Sequence, residues 1–180
     1  DNKKIPNWKI RNSNTNYLVS ISKNLPISIT VKKILRDKDS VAFKKEIQKN
    51  MKSKSEIVIT SGAVSAGKFD FIPNIIKQFK LKSIFKGVNI RPGKPIMFAK
   101  FNNNMCFFGL PGNPISSAAC FRFFVLPLIF KSLGTNQEKP IVAKLKYNFS
   151  KKKNFTRFIK GKLKFTKKGE LEFEAFKGQE

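Results

Sequence analysis

Histidine is absent from this chain. No imidazole base, His-ligated metal or Ser-His-Asp triad can be built from it. Trp occurs once while Phe occurs 19 times, which leaves much of the packing to Phe. There are two cysteines, Cys106 and Cys120, each in an apolar setting. They read as buried, reduced thiols rather than as metal ligands or a bridge. No stretch reaches the ~20 apolar residues of a membrane span, and the apolar run 121–130 is cut by Arg122 and Pro127. No signal peptide is visible, so a cytoplasmic location is expected. Acids are scarce: 11 Asp+Glu face 37 Lys+Arg, a formal charge of +26.

Such a charge invites a nucleic-acid partner. The lysines, however, are spread along the whole length between apolar residues instead of forming one arm or stripe. The expected partner is an anionic small molecule, with neither nucleic acid nor membrane. The 180 residues suit one ordinary domain plus a smaller piece, and 41% hydrophobic content supports a real core. The chain begins at Asp1 and ends at Glu180 in mid-pattern, which reads as a piece of a longer protein.

Three segments share one design, a hydrophobic strand breaking into a Gly-rich turn. They are Ile57-Val58-Ile59-Thr60 running into Ser61-Gly62-Ala63-Val64-Ser65-Ala66-Gly67-Lys68-Phe69-Asp70; Arg91-Pro92-Gly93-Lys94-Pro95; and Phe107-Phe108-Gly109-Leu110-Pro111-Gly112-Asn113-Pro114. Glycine admits close approach of backbone N–H groups to a ligand, and proline stiffens the turn. A helix starting beside such a turn adds free donors and a positive dipole end, a setting suited to phosphate.

The rest of the chain frames these turns. Residues 1–9 read as a loop or linker, followed by a helix near 15–23 capped by Ser13 or Asn14. Alternation over 27–31 predicts a strand, and Asp39 or Ser40 caps a helix over 41–51. Residues 57–60 read as a buried parallel strand. A helix should start at Asp70 with Pro73 in its first turn and Phe71, Ile72, Ile75, Ile76 and Phe79 on one face. A strand is expected over 84–90, and a hairpin from 96–101 through Asn102-Asn103-Asn104 to 105–108. Asn113 as cap and Pro114 at the first position start a helix to about Leu133, kinked at Pro127 and stopped by Gly134. Beyond it, 142–146, 161–165 and 171–174 alternate as strands with one buried face. The expectation is an α/β domain over 1–137, a three-layer arrangement of mostly parallel strands with helices on both faces. A small, barrel-like and truncated β-domain follows over 138–180.

Gly62-x4-Gly67-Lys68 matches most of a nucleotide P-loop, but Phe69 stands where a hydroxyl must hold Mg²⁺. Asp70 can cap its helix or hold a cation or polar ligand beside the loop. Asp37 is a turn residue by default, yet it lies at the C-terminal edge of a strand, where open α/β sheets bind ligands. Arg91 and Lys94 put two cations on a stiff turn, suited to phosphate or another oxyanion. Ser116 and Ser117 add hydroxyls in the first turn after Asn113.

The ordered set resembles the molybdopterin molybdenumtransferase family, the bacterial MoeA proteins and the related gephyrin domain. The family patterns Ser-Gly-Gly-Val-Ser-x-Gly-x-x-Asp, Lys/Arg-Pro-Gly-Lys-Pro and Leu-Pro-Gly-Asn-Pro-Val-Ser stand here as residues 61–70, 91–95 and 110–116. Ile10-Arg11-Asn12-Ser13-Asn14, Leu35-Arg36-Asp37, Asn154-Phe155-Thr156-Arg157 and Lys177-Gly178-Gln179 are similar to further family segments. The resemblance implies a Mg²⁺-dependent transferase that inserts molybdate into adenylylated molybdopterin and releases AMP. It implies catalytic roles for Asp37, Asp70, Arg91 and Lys94, with Asp37 and Asp70 as the Mg²⁺ ligands. Ser61, Gly62, Val64, Ser65, Gly67, Pro92, Gly93, Pro111, Gly112, Asn113, Pro114, Ser116 and Arg157 would surround the pterin and its phosphates. A homodimer is implied for the longer protein. Ala63 departs from the pattern where the family has glycine, which matters if that position needs positive φ. Two other readings remain: a molybdopterin adenylyltransferase, which lacks the terminal β-domain, and a non-catalytic molybdopterin-binding or scaffold module.

Overall fold

The structure is a computed structural model that describes residues 12–35, 39–53, 55–64, 71–135, 138–150 and 153–177. Helix α1 spans Ser13–Ser22. Its cap is Asn12, whose side chain accepts from the Thr15 N–H, rather than Ser13 or Asn14. Residues 27–31, expected as a strand, form no ladder among the described residues. Alternation signals a half-buried strand only where a neighbour supplies backbone partners. Here Ile27 packs into the core while Ile29 and Val31 stay exposed.

Helix α2 covers Ser40–Lys52 and buries Phe43 and Ile47. Strand β1 is Ile57–Ser61. The short helix α3, Ile72–Ile76, starts after Phe71, with Pro73 in its first turn. Phe71, Ile72, Ile75, Ile76 and Phe79 all join one apolar cluster, as their spacing predicts. Strands β2 (Leu81–Lys86), β3 (Ile90–Arg91), β4 (Met97–Phe101) and β5 (Cys106–Leu110) follow. The β4–β5 hairpin forms as expected, with Asn104 at φ 70 in its turn.

The main sheet has the order β1-β5-β4-β2. Only β1 and β5 run parallel; β4 is antiparallel to β5, and β2 to β4. The expected mostly parallel sheet is therefore mixed among the described residues. The reason is the three-asparagine turn 102–104, which reverses the chain at once instead of sending it through a crossover helix. Strand β1 is half-buried, not buried; among the described residues it has one neighbour and lies at the sheet edge.

The two faces of β4 and β5 feed two clusters. Met97, Ala99, Phe101 and Phe107 meet α2 and α3 on one side. Ile96, Cys106, Phe108 and Leu110 meet the long helical stretch on the other. Side-chain alternation along the strands sets this division. Phe dominates as its abundance predicts: Phe43 makes edge contacts with Phe71 and Phe107, and Phe98 lies against Phe85 and Phe108.

That helical stretch begins with α4, Pro114–Cys120, capped by Asn113, whose side chain accepts from the Ser116 N–H. A π-helical turn, Phe121–Val125, leads into α5, Leu126–Ser132. Pro127 lacks an N–H and its ring crowds the preceding turn, and the widened turn lies immediately before it. Gly134, at φ 67, follows the helix end. The stretch Pro114–Ser132 is long and apolar enough by composition to cross a bilayer. Here it buries Cys120, Phe121, Val125, Leu126 and Ile129 against the sheet.

Strands β6 (Lys144–Leu145), β8 (Gly161–Phe165) and β9 (Leu171–Ala175) form a separate three-stranded sheet, order β6-β9-β8. Among the described residues it is an open sheet, not a barrel. Leu163 and Phe165 on β8 are exposed, contrary to the expected buried face. Strand β7, Thr156–Arg157, leaves that sheet and pairs in parallel with β3.

Candidate functional site

Two of the three Gly-rich turns converge at the C-terminal ends of β1 and β5, which run side by side with Ser61 opposite Leu110. The Gly62 N–H donates to the Leu110 carbonyl at 2.9 Å, and the Ser61 hydroxyl donates to the Pro111 carbonyl at 3.2 Å. A Cβ on Gly112 would lie 3.6 Å from Gly62 Cα, so the two loops touch through their glycines. Gly112, Asn113 and Pro114 are exposed, and Ser116 and Gly62 half-exposed, while Pro111 is buried. These loops lie where parallel strands end, the side on which such sheets receive ligands.

Not every expected residue offers a side chain there. Val64 is buried in the α2–α3 cluster, and its Cγ1 fills the space that a Cβ on Gly109 would need. It anchors its loop from below, and its side chain presents no surface to a ligand. Gly62 and Ala63 both have positive φ, 96 and 54. The family's glycine at position 63 thus has a backbone reason, and Ala63 carries the strain. Asp37, Ser65, Gly67 and Asp70 lie outside the described residues, as do Lys68 and Phe69 of the P-loop-like stretch. Among the described residues no three His, Cys, Asp or Glu side chains gather into a metal site.

The Arg-Pro-Gly-Lys-Pro turn leads into β4, whose first residue, Met97, pairs with Gly109 near the C-terminal end of β5. Its Arg91–Pro92 peptide is cis and Gly93 has φ 114. A Cβ on Gly93 would sit 2.6 Å from Cys120 Sγ and 3.0 Å from an Ile90 methyl, so the turn rests directly on α4. The Gly93 carbonyl accepts from the Ile96 N–H at 3.1 Å and from the Cys120 thiol at 3.4 Å. Burial pushes that thiol up to about 12, so it stays protonated and donates. Both cysteines are free and buried, as expected.

Strand β7 brings in Arg157. Thr156 N–H donates to the Asn89 carbonyl and Phe158 N–H to the Arg91 carbonyl, with Arg91 and Arg157 in register. Phe158 stacks on Phe123 with ring centroids 4.0 Å apart, pinning the segment to the helical face. Lys94 Nζ lies 5.6 Å from the Phe155 ring, and the Arg157 guanidinium 5.5 Å from the Phe149 ring. Arg91, Lys94 and Arg157 thus gather around one parallel strand pair.

A family description, "Probable molybdopterin binding domain", matches residues 2–131. The chain belongs to this molybdopterin-binding family. The molybdopterin molybdenumtransferase of Staphylococcus aureus is 36% identical over 163 residues, 89% of this chain and 38% of that protein. A molybdopterin biosynthesis moeA protein from Pyrococcus horikoshii has a similar fold, with TM-score 0.67 and 22% identity over 96% of this chain and 38% of that one. A molybdenum cofactor biosynthesis protein from Pyrococcus furiosus aligns with TM-score 0.64 and 17% identity, covering 92% and 51% of the two chains. The chain therefore spans about 38% of the length of the curated relatives it matches.

Sequence reasoning missed one residue of this family domain. Asn14 Nδ2 donates to Ser61 Oγ at 2.6 Å and to the Gly112 carbonyl at 2.9 Å, linking α1 to both glycine loops. The signal was the Asn12-Ser13-Asn14 triplet, in which the two asparagines look alike. Only the fold assigns Asn12 to the helix cap and Asn14 to the loops.

Proposed function

We propose that this chain is the ligand-binding portion of a molybdopterin molybdenumtransferase. In that reading the longer protein inserts molybdate into adenylylated molybdopterin, releases AMP and works in molybdenum cofactor biosynthesis. The observation that carries it is the register of Arg91 with Arg157, two cationic residues on neighbouring strands beside Lys94. Guanidinium groups take phosphate or molybdate oxygens through paired N–H donors.

The chemistry asks for no protein nucleophile. Water or a molybdate oxygen forms the new P–O bond, AMP leaves with the old one, and charge builds on the phosphate oxygens as the phosphoanhydride breaks. Cations fixed beforehand stabilise that charge without reorganising. The paired loops at residues 61–64 and 111–116 supply backbone around the pterin and its phosphates. Asp37, Asp70, Ser65 and Gly67 belong to the same proposed site. The two aspartates would hold Mg²⁺, which supplies Lewis-acid charge when bound. A domain division at 137/138, a cytoplasmic location and a homodimer complete the reading.

Calorimetry of this chain with adenylylated molybdopterin tests the binding site. Saturable binding that Arg91→Ala and Arg157→Ala each weaken is expected. Equal affinity in both variants would remove the assignment. For the longer protein, AMP release on addition of molybdate should fall in Asp70→Asn and Arg91→Ala.

A further inference from the structure

Asn14 stands at a junction that neither the backbone nor the helix it belongs to requires. Helix α1 already has its cap in Asn12. Asn14 reaches instead across to two loops, one after β1 and one after β5. A carbonyl oxygen can only accept, so the Gly112 carbonyl settles the amide orientation and places Nδ2 towards the loops. One N–H of that amide goes to Gly112 and the other to Ser61 Oγ. The Ser61 hydroxyl in turn donates a hydrogen bond to the Pro111 carbonyl. A chain of three hydrogen bonds thus ties α1, Ser61 and Pro111-Gly112 together. Both N–H groups are used, and Asn14 Oδ1 has no partner among the described residues. The loops otherwise meet through the Gly62 N–H to Leu110 carbonyl bond and a glycine-to-glycine contact. Neither glycine has a side chain with which to hold a separation.

We infer that Asn14 is a positioning residue: its carboxamide clamps the Ser61-Gly62 loop to the Pro111-Gly112-Asn113 loop and sets the gap into which a phosphorylated ligand fits. The role rests on the loop assignment under the proposed function. A clamp preformed in the free protein spares the ligand the cost of ordering two loops, so its removal weakens binding.

Hydrogen exchange on the ligand-free chain tests the clamp. In Asn14→Ala the Gly62 amide should exchange about tenfold to a hundredfold faster, since two hydrogen bonds at roughly 1 kcal/mol each are lost. Asn14→Asp keeps the volume but sets oxygen against oxygen, and should do the same with helix α1 intact by circular dichroism. Asn12→Ala removes the bonds to Thr15 while Asn14 keeps its own two bonds to Ser61 and Gly112, and should leave Gly62 exchange as in the parent. An unchanged Gly62 rate in both Asn14 variants overturns the clamp, as does equal acceleration by Asn12→Ala, which would reduce Asn14 to a helix anchor. Calorimetry with adenylylated molybdopterin then separates the two claims. About tenfold weaker binding in Asn14→Asp, with parent affinity in Asn12→Ala, supports the role. Faster Gly62 exchange with unchanged affinity would leave the clamp standing and overturn the loops as the ligand site.

Discussion

Arg91 and Arg157, 66 positions apart in the chain, are direct neighbours across the β3–β7 strand pair. Residues in register on paired strands project to the same face. The turn that carries Arg91 and the segment that carries Arg157 are thereby placed side by side.

If both arginines grip the same anion, their effects must couple. Each single change to Ala should weaken binding of adenylylated molybdopterin roughly ten- to hundredfold, the range of a charged hydrogen bond. The double variant should lose less than the sum of the two. A calorimetric double-mutant cycle measures this, and strict additivity would mean separate sites.

Gly93→Ala should be one of the most damaging single changes. The new methyl would meet Cys120 Sγ and Ile90 at a position with φ 114. Positive-φ strain and overpacking together cost about 3 kcal/mol. Thermal unfolding followed by circular dichroism reads the loss. Adding Cys120→Ala to it should recover part, because the sulfur is the nearest obstacle.

Ala63→Gly runs the other way. At φ 54 alanine is strained, and glycine relieves that at the cost of a small half-buried methyl. The net gain expected is about 0.5 kcal/mol, or one to two degrees in midpoint for a chain of this size. A lower midpoint would show that the methyl's packing outweighs the strain.

The Cys120 thiol predicts a pH limit. Its folded-state value, about 12, lies above the ordinary 9.0 because burial disfavours the thiolate. The unfolded chain therefore releases this proton first as pH rises. The stabilisation is complete below pH 9 and is lost as pH climbs from 9 towards 12. Urea midpoints taken across that window should fall, and fall less in Cys120→Ala. At pH 8 the native protein should resist iodoacetamide at this position and react once unfolded.

Local chemistry made several parts legible from the residues in order. Asn113-Pro114 announces a helix start because a cap acceptor and a preset φ act within one turn. Asn102-Asn103-Asn104 announces the hairpin for a similar reason. The apolar spacing from Phe71 to Phe79 picks out the buried face of α3. The three Gly/Pro turns mark themselves by composition, and their order carries the family likeness. The alternation at 27–31 misled because periodicity reports which side chains can be buried, not whether a neighbouring strand is there to pair.

Composition and short-range pattern thus determined the three glycine turns, the cations set beside them and the absence of histidine. Tertiary structure alone decided that Arg157 belongs beside Arg91, that Asn14 rather than Asn12 holds the two loops, and that Val64 faces inward. The difference is physical. Caps, turns and helix faces depend on interactions within a few residues. Strand register and loop-to-loop hydrogen bonds join positions dozens of residues apart, which become neighbours only when the sheet and its helices bury their shared apolar faces.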